Sequence, residues 1–134
     1  MTISNQIDTG TDDELLLRLW PSAATVGEAR HAVGQFCRDG RHDVLADDAE
    51  LLTSELMSNA CRHTAGLITL LALRNTKGLV VTVSDDNVLK TPLRAMPHDP
   101  DRVSGRGLLL VDTIAGAWGT APHVDGKSVW FRLP

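Results

Sequence analysis

The stretch Glu55-Leu-Met-Ser-Asn59-Ala-Cys-Arg-His63 lies within a pattern that predicts a helix over residues 46–64. Glu55 and Asn59 are four residues apart, which places them one turn apart on the same side of a helix. Such a face either meets solvent or directs one carboxylate and one carboxamide toward a pocket. The helix alone favours the solvated face, and the rest of the chain changes that balance. The apolar residues beside this face recur at steps of three and four: Leu45, Ala49, Leu52, Leu56 and Ala60.

The length and composition limit which classes of protein this chain can belong to. The chain has 134 residues, of which 43% are hydrophobic and 22% charged, and its net charge is −4. These values predict a single soluble domain, over residues 13–134. Residues 1–12 are polar and without periodicity, which predicts a disordered tail. No apolar run approaches the ~18 residues that cross a bilayer, and the N-terminus lacks the features of a secretory signal. We therefore expect a cytoplasmic protein without a membrane contact. The absence of a long basic run disfavours nucleic-acid binding.

The cysteines and histidines do not form a metal-binding pattern. Cys37 and Cys61 are far apart in helix-like segments, which predicts small, buried, reduced thiols. Asn59 and His63 share a helix face, but no third ligand is nearby in the sequence. A transition-metal site is therefore disfavoured.

The first half of the chain predicts one strand followed by two helices. Residues 15–20 form a short apolar run that Pro21 stops, which is typical of a strand. Pro21 and Ser22 then open a helix that Asp39 and Gly40 end. In the helix that contains Glu55, Asp47 and Asp48 are expected in the first turn, where the helix dipole favours carboxylates.

The middle of the chain predicts an antiparallel hairpin. Residues 67–74 and 79–85 are strand-like, and the turn over residues 75–78 joins them. Alternation places Val81, Val83 and Asp85 on one face of the second strand. If that face meets the helices, Asp85 is a buried carboxylate that needs a protein or ligand partner. An ordinary aspartate at the end of a strand is the alternative.

The segment after this hairpin has little pattern. Residues 86–104 contain three prolines, and a loop of this length in a small domain is often a functional lid. It leads into Ser104-Gly-Arg-Gly-Leu108 and then an apolar helix over residues 108–115. Glycines at a helix start allow a ligand to approach the backbone, and the free N–H groups there favour phosphate. A hinge or a plain helix entry is the alternative.

The end of the chain predicts two further strands, over residues 118–120 and 128–133. Gly126 and Lys127 are assigned to the turn between them. Val129 and Phe131 alternate with Trp130 and Arg132, as in a half-buried strand. The aromatic residues Trp118, Trp130 and Phe131 are predicted to pack in the core or on the sheet rather than to stack on a ligand.

Taken in order, these motifs resemble the GHKL (Bergerat-fold) ATPase superfamily. The motifs are Ser54-Glu55-Leu-Met-Ser-Asn59-Ala-Cys-Arg-His63, Val83-Ser-Asp85, Gly105-Arg-Gly107-Leu-Leu-Leu-Val111-Asp, Trp118-Gly119 and Gly126-Lys-Ser-Val-Trp130. Within that superfamily the sequence is most similar to the small anti-sigma-factor serine-protein kinases and related actinobacterial ATP-binding regulators. The resemblance implies a two-layer α/β sandwich. Its mixed, mostly antiparallel sheet would be covered by helices on one face, and it would have a mobile ATP lid at 86–104.

The resemblance also implies a role for each matching residue. It makes Glu55 the catalytic base, Asn59 the Mg²⁺ ligand and Asp85 the acceptor for the adenine amino group. The phosphates would meet the second glycine box, and a hydroxyl would support adenine recognition. The remaining cofactor-binding residues implied in this way are Asn87, Gly105, Arg106, Gly107, Leu108 and Ser128.

One motif departs from the family pattern. The first glycine box commonly reads Asp-x-Gly-x-Gly, whereas this chain has Asp85-Asp-Asn87-Val-Leu89. Asn87 tolerates left-handed backbone angles better than most residues, so the turn is still expected.

The function implied by the resemblance is an ATP- and Mg²⁺-dependent protein serine/threonine kinase that acts as an anti-sigma factor. Its expected partners are an antagonist protein that it phosphorylates, a sigma factor, or both, and a homodimer is kept open. The alternative is a non-catalytic, nucleotide-sensing interaction module of the same fold. The short chain is also expected to lack the additional domains of gyrases, chaperones and histidine kinases.

Overall fold

The computed structural model describes residues 5–8, 14–85, 114–123 and 126–134. Its helices and strands follow the chain in this order: β1 Asn5–Asp8, β2 Glu14–Leu19, α1 Ala23–Asp39, α2 Asp43–His63, β3 Ile68–Asn75, β4 Gly78–Asp85, β5 Ala117–His123 and β6 Gly126–Leu133. The strands form one sheet in the order β1-β2-β3-β4-β6-β5. Every described pair of neighbouring strands is antiparallel. The predicted two-layer α/β sandwich is confirmed.

The two helices pack on each other and on one face of the sheet. Alternate strand residues meet them, since Leu17, Leu70, Val81 and Phe131 are each at most 1% exposed. The predicted apolar face of α2 is confirmed, because Ala49, Leu52, Leu56 and Ala60 are buried and Leu45 is partly buried. The sheet and helices therefore share one continuous hydrophobic core.

Helix α1 begins and ends where the sequence predicts. Ser22 and Thr25 form a capping box, in which the Ser22 hydroxyl accepts from the Thr25 N–H at 3.2 Å and the Thr25 hydroxyl accepts from the Ser22 N–H at 3.1 Å. Gly40 closes the other end, where its N–H donates to the Phe36 carbonyl. The cap satisfies backbone groups that a helix terminus otherwise leaves unpaired.

The hairpin of β3 and β4 is also confirmed. Its turn is held by the Asn75 side chain, which accepts from the Lys77 N–H at 2.7 Å. Gly78 has a φ of +130°, and a Cβ there would overlap the Leu133 carbonyl oxygen. A glycine is therefore required at this position by both its backbone angle and its close packing.

Three predicted boundaries are wrong. Helix α2 begins at Asp43 rather than at 46; just before it, the His42 ring nitrogens lie 2.9 Å from the Gly40 carbonyl oxygen and 3.1 Å from that of Asn75, and this packing fixes the chain there. Part of the tail predicted to be disordered forms β1, whose backbone pairs with β2; such pairing needs no apolar pattern. Gly126 and Lys127 are the first residues of β6 and not the turn.

The late aromatic residues pack as predicted. Phe131 is fully buried and Trp118 packs against the core. Trp130 is half-buried on the other face of the sheet, where a Cβ on Gly119 would approach its ring to 3.1 Å. The indole therefore lies across β5, directly above the glycine.

Both cysteines are free thiols, as predicted. Cys37 is fully buried, and burial raises the pKa of its thiol from 9.0 to about 11. Cys61 is only half-buried, so the prediction of burial is confirmed for the first cysteine alone. Among the described residues, no helix is long and apolar enough to span a membrane.

Candidate functional site

The C-terminal half of α2 carries three polar side chains at four-residue spacing, Glu55, Asn59 and His63. Asn59 is 8% exposed, while Glu55 and His63 are half-buried. The predicted face is therefore real, and it lies at the boundary between core and surface rather than in open solvent. A carboxylate and a carboxamide at such a boundary can reach a ligand without being fully solvated.

Asp85 ends the buried row of β4. Val81 and Val83 are 0% and 3% exposed, and the Asp85 side chain continues this face at 5% exposure. The predicted carboxylate at the end of an apolar row is therefore present. Gly126 packs directly against it, since a Cβ there would overlap the Asp85 carbonyl and come within 2.9 Å of its Oδ1. The φ of +154° at Gly126 also favours glycine.

Lys127 was missed by the sequence interpretation. It lies directly opposite Asp85 in the register of β4 and β6, and it is only 8% exposed. A lysine is seldom buried unless it has a partner. A signal was available, because Lys127 continues the alternation of Val129 and Phe131 onto the buried face. Because Lys127 was assigned to the turn before this strand, the alternation was not extended to it.

The electrostatics of His63 connect the helix to this end of the sheet. Burial lowers the pKa of the His63 imidazole below 6.5, the charges of Lys127 and Arg62 lower it further, and Asp85 opposes them. The end of α2 and the adjacent ends of β4 and β6 therefore form one cluster of polar groups. Asn59 is one turn before His63 on the same helix face.

Ser128 is not brought to this cluster. The register pairs it with Ser84, and the two hydroxyl oxygens are 2.7 Å apart. Both side chains lie on the sheet face away from the helices, because they alternate with Asp85 and Lys127. The position resembles an adenine-supporting hydroxyl in sequence, but its side chain lies on the opposite face from Asp85.

The predicted phosphate side of the site lies outside the described residues. This applies to the lid, to the helix over residues 108–115 up to residue 113, and to Asn87, Gly105, Arg106, Gly107 and Leu108. Within the described ranges, no group of three or more His, Cys, Asp or Glu side chains could hold a metal ion. A magnesium ion held by Asn59 and by phosphate oxygens needs no such group.

Comparison with protein families decides what kind of domain this is. A family model described as "Histidine kinase-like ATPase domain" matches residues 19–133. The chain belongs to this family. It is thus an ATP-binding domain of the histidine kinase-like type, and the wider GHKL resemblance of the sequence is confirmed. The anti-sigma subtype stays a prediction.

A solved structure supports the fold. The histidine kinase domain of the blue-light-activated histidine kinase from Erythrobacter litoralis EL346 is 22% identical and superimposes with a TM-score of 0.56. The match covers 83% of this chain and 59% of that one. At this identity the comparison establishes the fold only. No protein with a curated function matches the sequence.

The described residues around Asp85 suit binding of the adenine ring of ATP. The exocyclic amino group of adenine is a hydrogen-bond donor, and a carboxylate such as Asp85 is an acceptor when ionised. Gly126, directly beside Asp85, has no side chain to obstruct this contact.

We expect Asp85→Asn to weaken ATP binding by about 10- to 150-fold. The charged acceptor becomes an amide, and a hydrogen bond to a charged group contributes about 1.5–3 kcal/mol. Isothermal titration calorimetry with ATP measures the effect. Asp48→Asn is the matched control, because it makes the same chemical change at an exposed position on α2. Equal ATP affinity of wild type and Asp85→Asn would contradict the assignment.

Proposed function

We propose that this protein is an anti-sigma factor with serine-protein kinase activity, which binds Mg-ATP and phosphorylates a serine of an antagonist protein. Its activity would control a sigma factor, by competition between that factor and the antagonist for binding to this protein. The proposed site of action is the cytoplasm. The observation that carries the proposal is the buried Asp85 carboxylate beside the end of α2, in a chain whose motif order resembles that kinase group.

Helix α2 places the proposed Mg²⁺ ligand, Asn59, one turn away from the proposed base, Glu55. Asn59 would offer its amide oxygen to Mg²⁺, a cation that prefers oxygen ligands. The bound ion would neutralise charge on the phosphates. Glu55, which makes no hydrogen bond or ion pair with another described residue, is available to accept a proton. Phosphoryl transfer depends mainly on positioning and charge neutralisation, so one base and one ligand on a rigid helix suit it.

In the proposed phosphoryl transfer, Glu55 acts as the general base. The serine oxygen of the antagonist forms a bond to the γ-phosphorus as the bond to the bridging oxygen breaks, and ADP leaves. The proton of the serine hydroxyl passes to the Glu55 carboxylate. Residues 105–108 are proposed to hold the phosphates with their backbone N–H groups, as the sequence predicts.

A transfer assay tests the kinase proposal. Purified protein is mixed with ATP labelled in the γ-phosphate and with candidate antagonist domains, and labelled phosphoserine is measured. Labelled phosphoserine on at least one candidate, dependent on Mg²⁺, is the expected result. Candidates are found by pull-down from the native cytoplasm with and without Mg-ATP, where nucleotide-dependent capture of a small partner is expected.

A non-catalytic, nucleotide-sensing module is the second candidate. It is favoured by the first glycine box, in which Asn87 and Leu89 replace the usual glycines. The assay separates the two functions. ATP binding by calorimetry without transfer to any captured partner would contradict the kinase proposal and support the sensing module. Failure to bind ATP would contradict both.

A further inference from the structure

Lys127 is a buried lysine beside the acidic residue assigned to adenine. Its side chain is only 8% exposed, and it lies at the start of β6 directly opposite Asp85, which is 5% exposed. Within the described ranges, these two are the only buried residues that carry a formal charge. Residues directly opposite each other in an antiparallel pair lie on the same face of the sheet. The two buried charges are therefore neighbours, and they have opposite signs.

The register brings the two charged groups within reach of one ligand. The Cβ atoms of opposite residues in such a pair are about 4.5–5.5 Å apart, so the ammonium of Lys127 and the carboxylate of Asp85 can contact adjacent atoms of a bound molecule. Both groups also act on His63 of α2. Burial lowers the pKa of the His63 imidazole, the Lys127 charge lowers it further, and the Asp85 charge opposes both. The pair thus lies where the C-terminal turn of α2 meets the sheet.

Stability gives little reason for a buried pair of opposite charges at this position. Removing two charges from water costs about as much as their attraction returns, and apolar residues in place of such a pair are often neutral or stabilising. For a ligand, in contrast, the pair offers a hydrogen-bond acceptor on the carboxylate and donors on the ammonium. The position of the pair beside the polar face of α2 therefore points to a contact with a ligand.

Adenine carries the groups that complement this pair. Its exocyclic amino group is a donor, and the ring nitrogens on either side of that group, N1 and N7, are acceptors. An acceptor therefore lies next to the amino group whichever of the two edges of the base faces the protein. An ionised carboxylate has no donor, so Asp85 can bind the amino group but not the neighbouring nitrogen. That nitrogen needs a donor from another residue.

We propose that Lys127 determines base specificity together with Asp85, by donating a hydrogen bond from its ammonium to the adenine ring nitrogen beside the amino group. This inference rests on the proposed function in one respect, because it requires ATP to be the ligand at Asp85. It does not depend on phosphoryl transfer or on any protein partner. A site that binds a donor and an acceptor side by side rejects bases that lack either one, because its own buried polar group is then left unpaired.

Two ATP analogues test this contact in the unchanged protein. The analogue 7-deaza-ATP lacks the N7 acceptor and 1-deaza-ATP lacks the N1 acceptor, whereas both keep the amino group. Wild-type protein is expected to bind one of them about 10- to 100-fold more weakly than ATP, because the buried ammonium then has no acceptor on the base. The affected analogue identifies the ring nitrogen that Lys127 contacts. Isothermal titration calorimetry with Mg²⁺ measures the affinity for all three nucleotides.

Lys127→Met shows whether the lysine is responsible for that discrimination. The variant removes the ammonium and keeps an unbranched side chain, and it is expected to bind the affected analogue within about threefold of ATP. A purely structural role would weaken all three nucleotides equally and would leave the discrimination unchanged. Lys77→Met is the matched control, because it makes the same change at an exposed position in the turn between β3 and β4. It should keep the wild-type affinities, and circular dichroism checks that both variants fold.

Two results would overturn the role of Lys127. One is a wild-type protein that binds ATP and both analogues equally, a result that requires no variant to fold. The other is a Lys127→Met protein that keeps the wild-type preference for ATP over the affected analogue. Both results are obtained with a wild-type protein that binds ATP, so they leave the proposed function intact. A wild-type protein without affinity for ATP would contradict both the role of Lys127 and the proposed function.

Discussion

Glu55→Ala is expected to reduce phosphoryl transfer to a protein substrate by about 10²- to 10⁴-fold, the usual contribution of a general base. ATP binding should be retained, because the residue is assigned no phosphate contact. Binding is expected to tighten slightly, since a carboxylate near a triphosphate is repulsive. Single-turnover transfer and ATP calorimetry on the same variant measure the two effects.

Two variants on the same helix act as comparisons. Asp48→Ala removes an exposed carboxylate seven residues earlier on the same face of α2 and should change neither quantity. Asn59→Ala removes the proposed Mg²⁺ ligand and should lower both ATP retention and transfer. Wild-type transfer by Glu55→Ala would show that Glu55 is not the base. Loss of ATP binding alone in that variant would place Glu55 in nucleotide binding instead.

Phe131→Ala is expected to lower the free energy of unfolding by about 3–5 kcal/mol, the typical cost of removing a buried aromatic side chain. The phenyl ring is fully buried in β6, where its neighbours across the sheet are Val81 and Trp118. The loss combines transfer free energy with a cavity that the surrounding core fills only in part. Urea denaturation followed by circular dichroism measures the change.

Val44→Ala is the control for this prediction. The Val44 side chain is 92% exposed on α2, so its replacement should change the free energy of unfolding by less than about 0.5 kcal/mol. A small loss for Phe131→Ala, similar to that for Val44→Ala, would mean that β6 does not pack against the helices as described here.

The sequence by itself determined the elements whose patterns are local. The apolar spacing of α2, the capping residues of α1 and the short turn between β3 and β4 each follow from interactions within a few residues. The same local alternation placed Asp85 on one face of its strand with Val81 and Val83, and the tertiary structure decided that this face is buried. It also separated Phe131 from Trp130, because side chains in a strand alternate with a period of two.

Two residues of β6 show what local alternation contains beyond the resemblance. The resemblance implies a role for Ser128 beside adenine, whereas its alternation with Val129 and Phe131 indicates the other face of the strand. Lys127 was assigned to a turn, so its position on the buried face was overlooked. In both cases the alternation within β6 indicates the face; for Lys127 the predicted strand boundary excluded the residue from that alternation.

Only the tertiary structure decided the features that depend on distant parts of the chain. Helix α2 begins at Asp43 because His42 contacts the Asn75 carbonyl, 33 residues away. Strand β1 exists because β2 offers it an open edge of backbone hydrogen-bonding groups. The pairing of Asp85 with Lys127 is set by strand register. Register is a long-range property, since it depends on which strands meet and not on the pattern within any one of them.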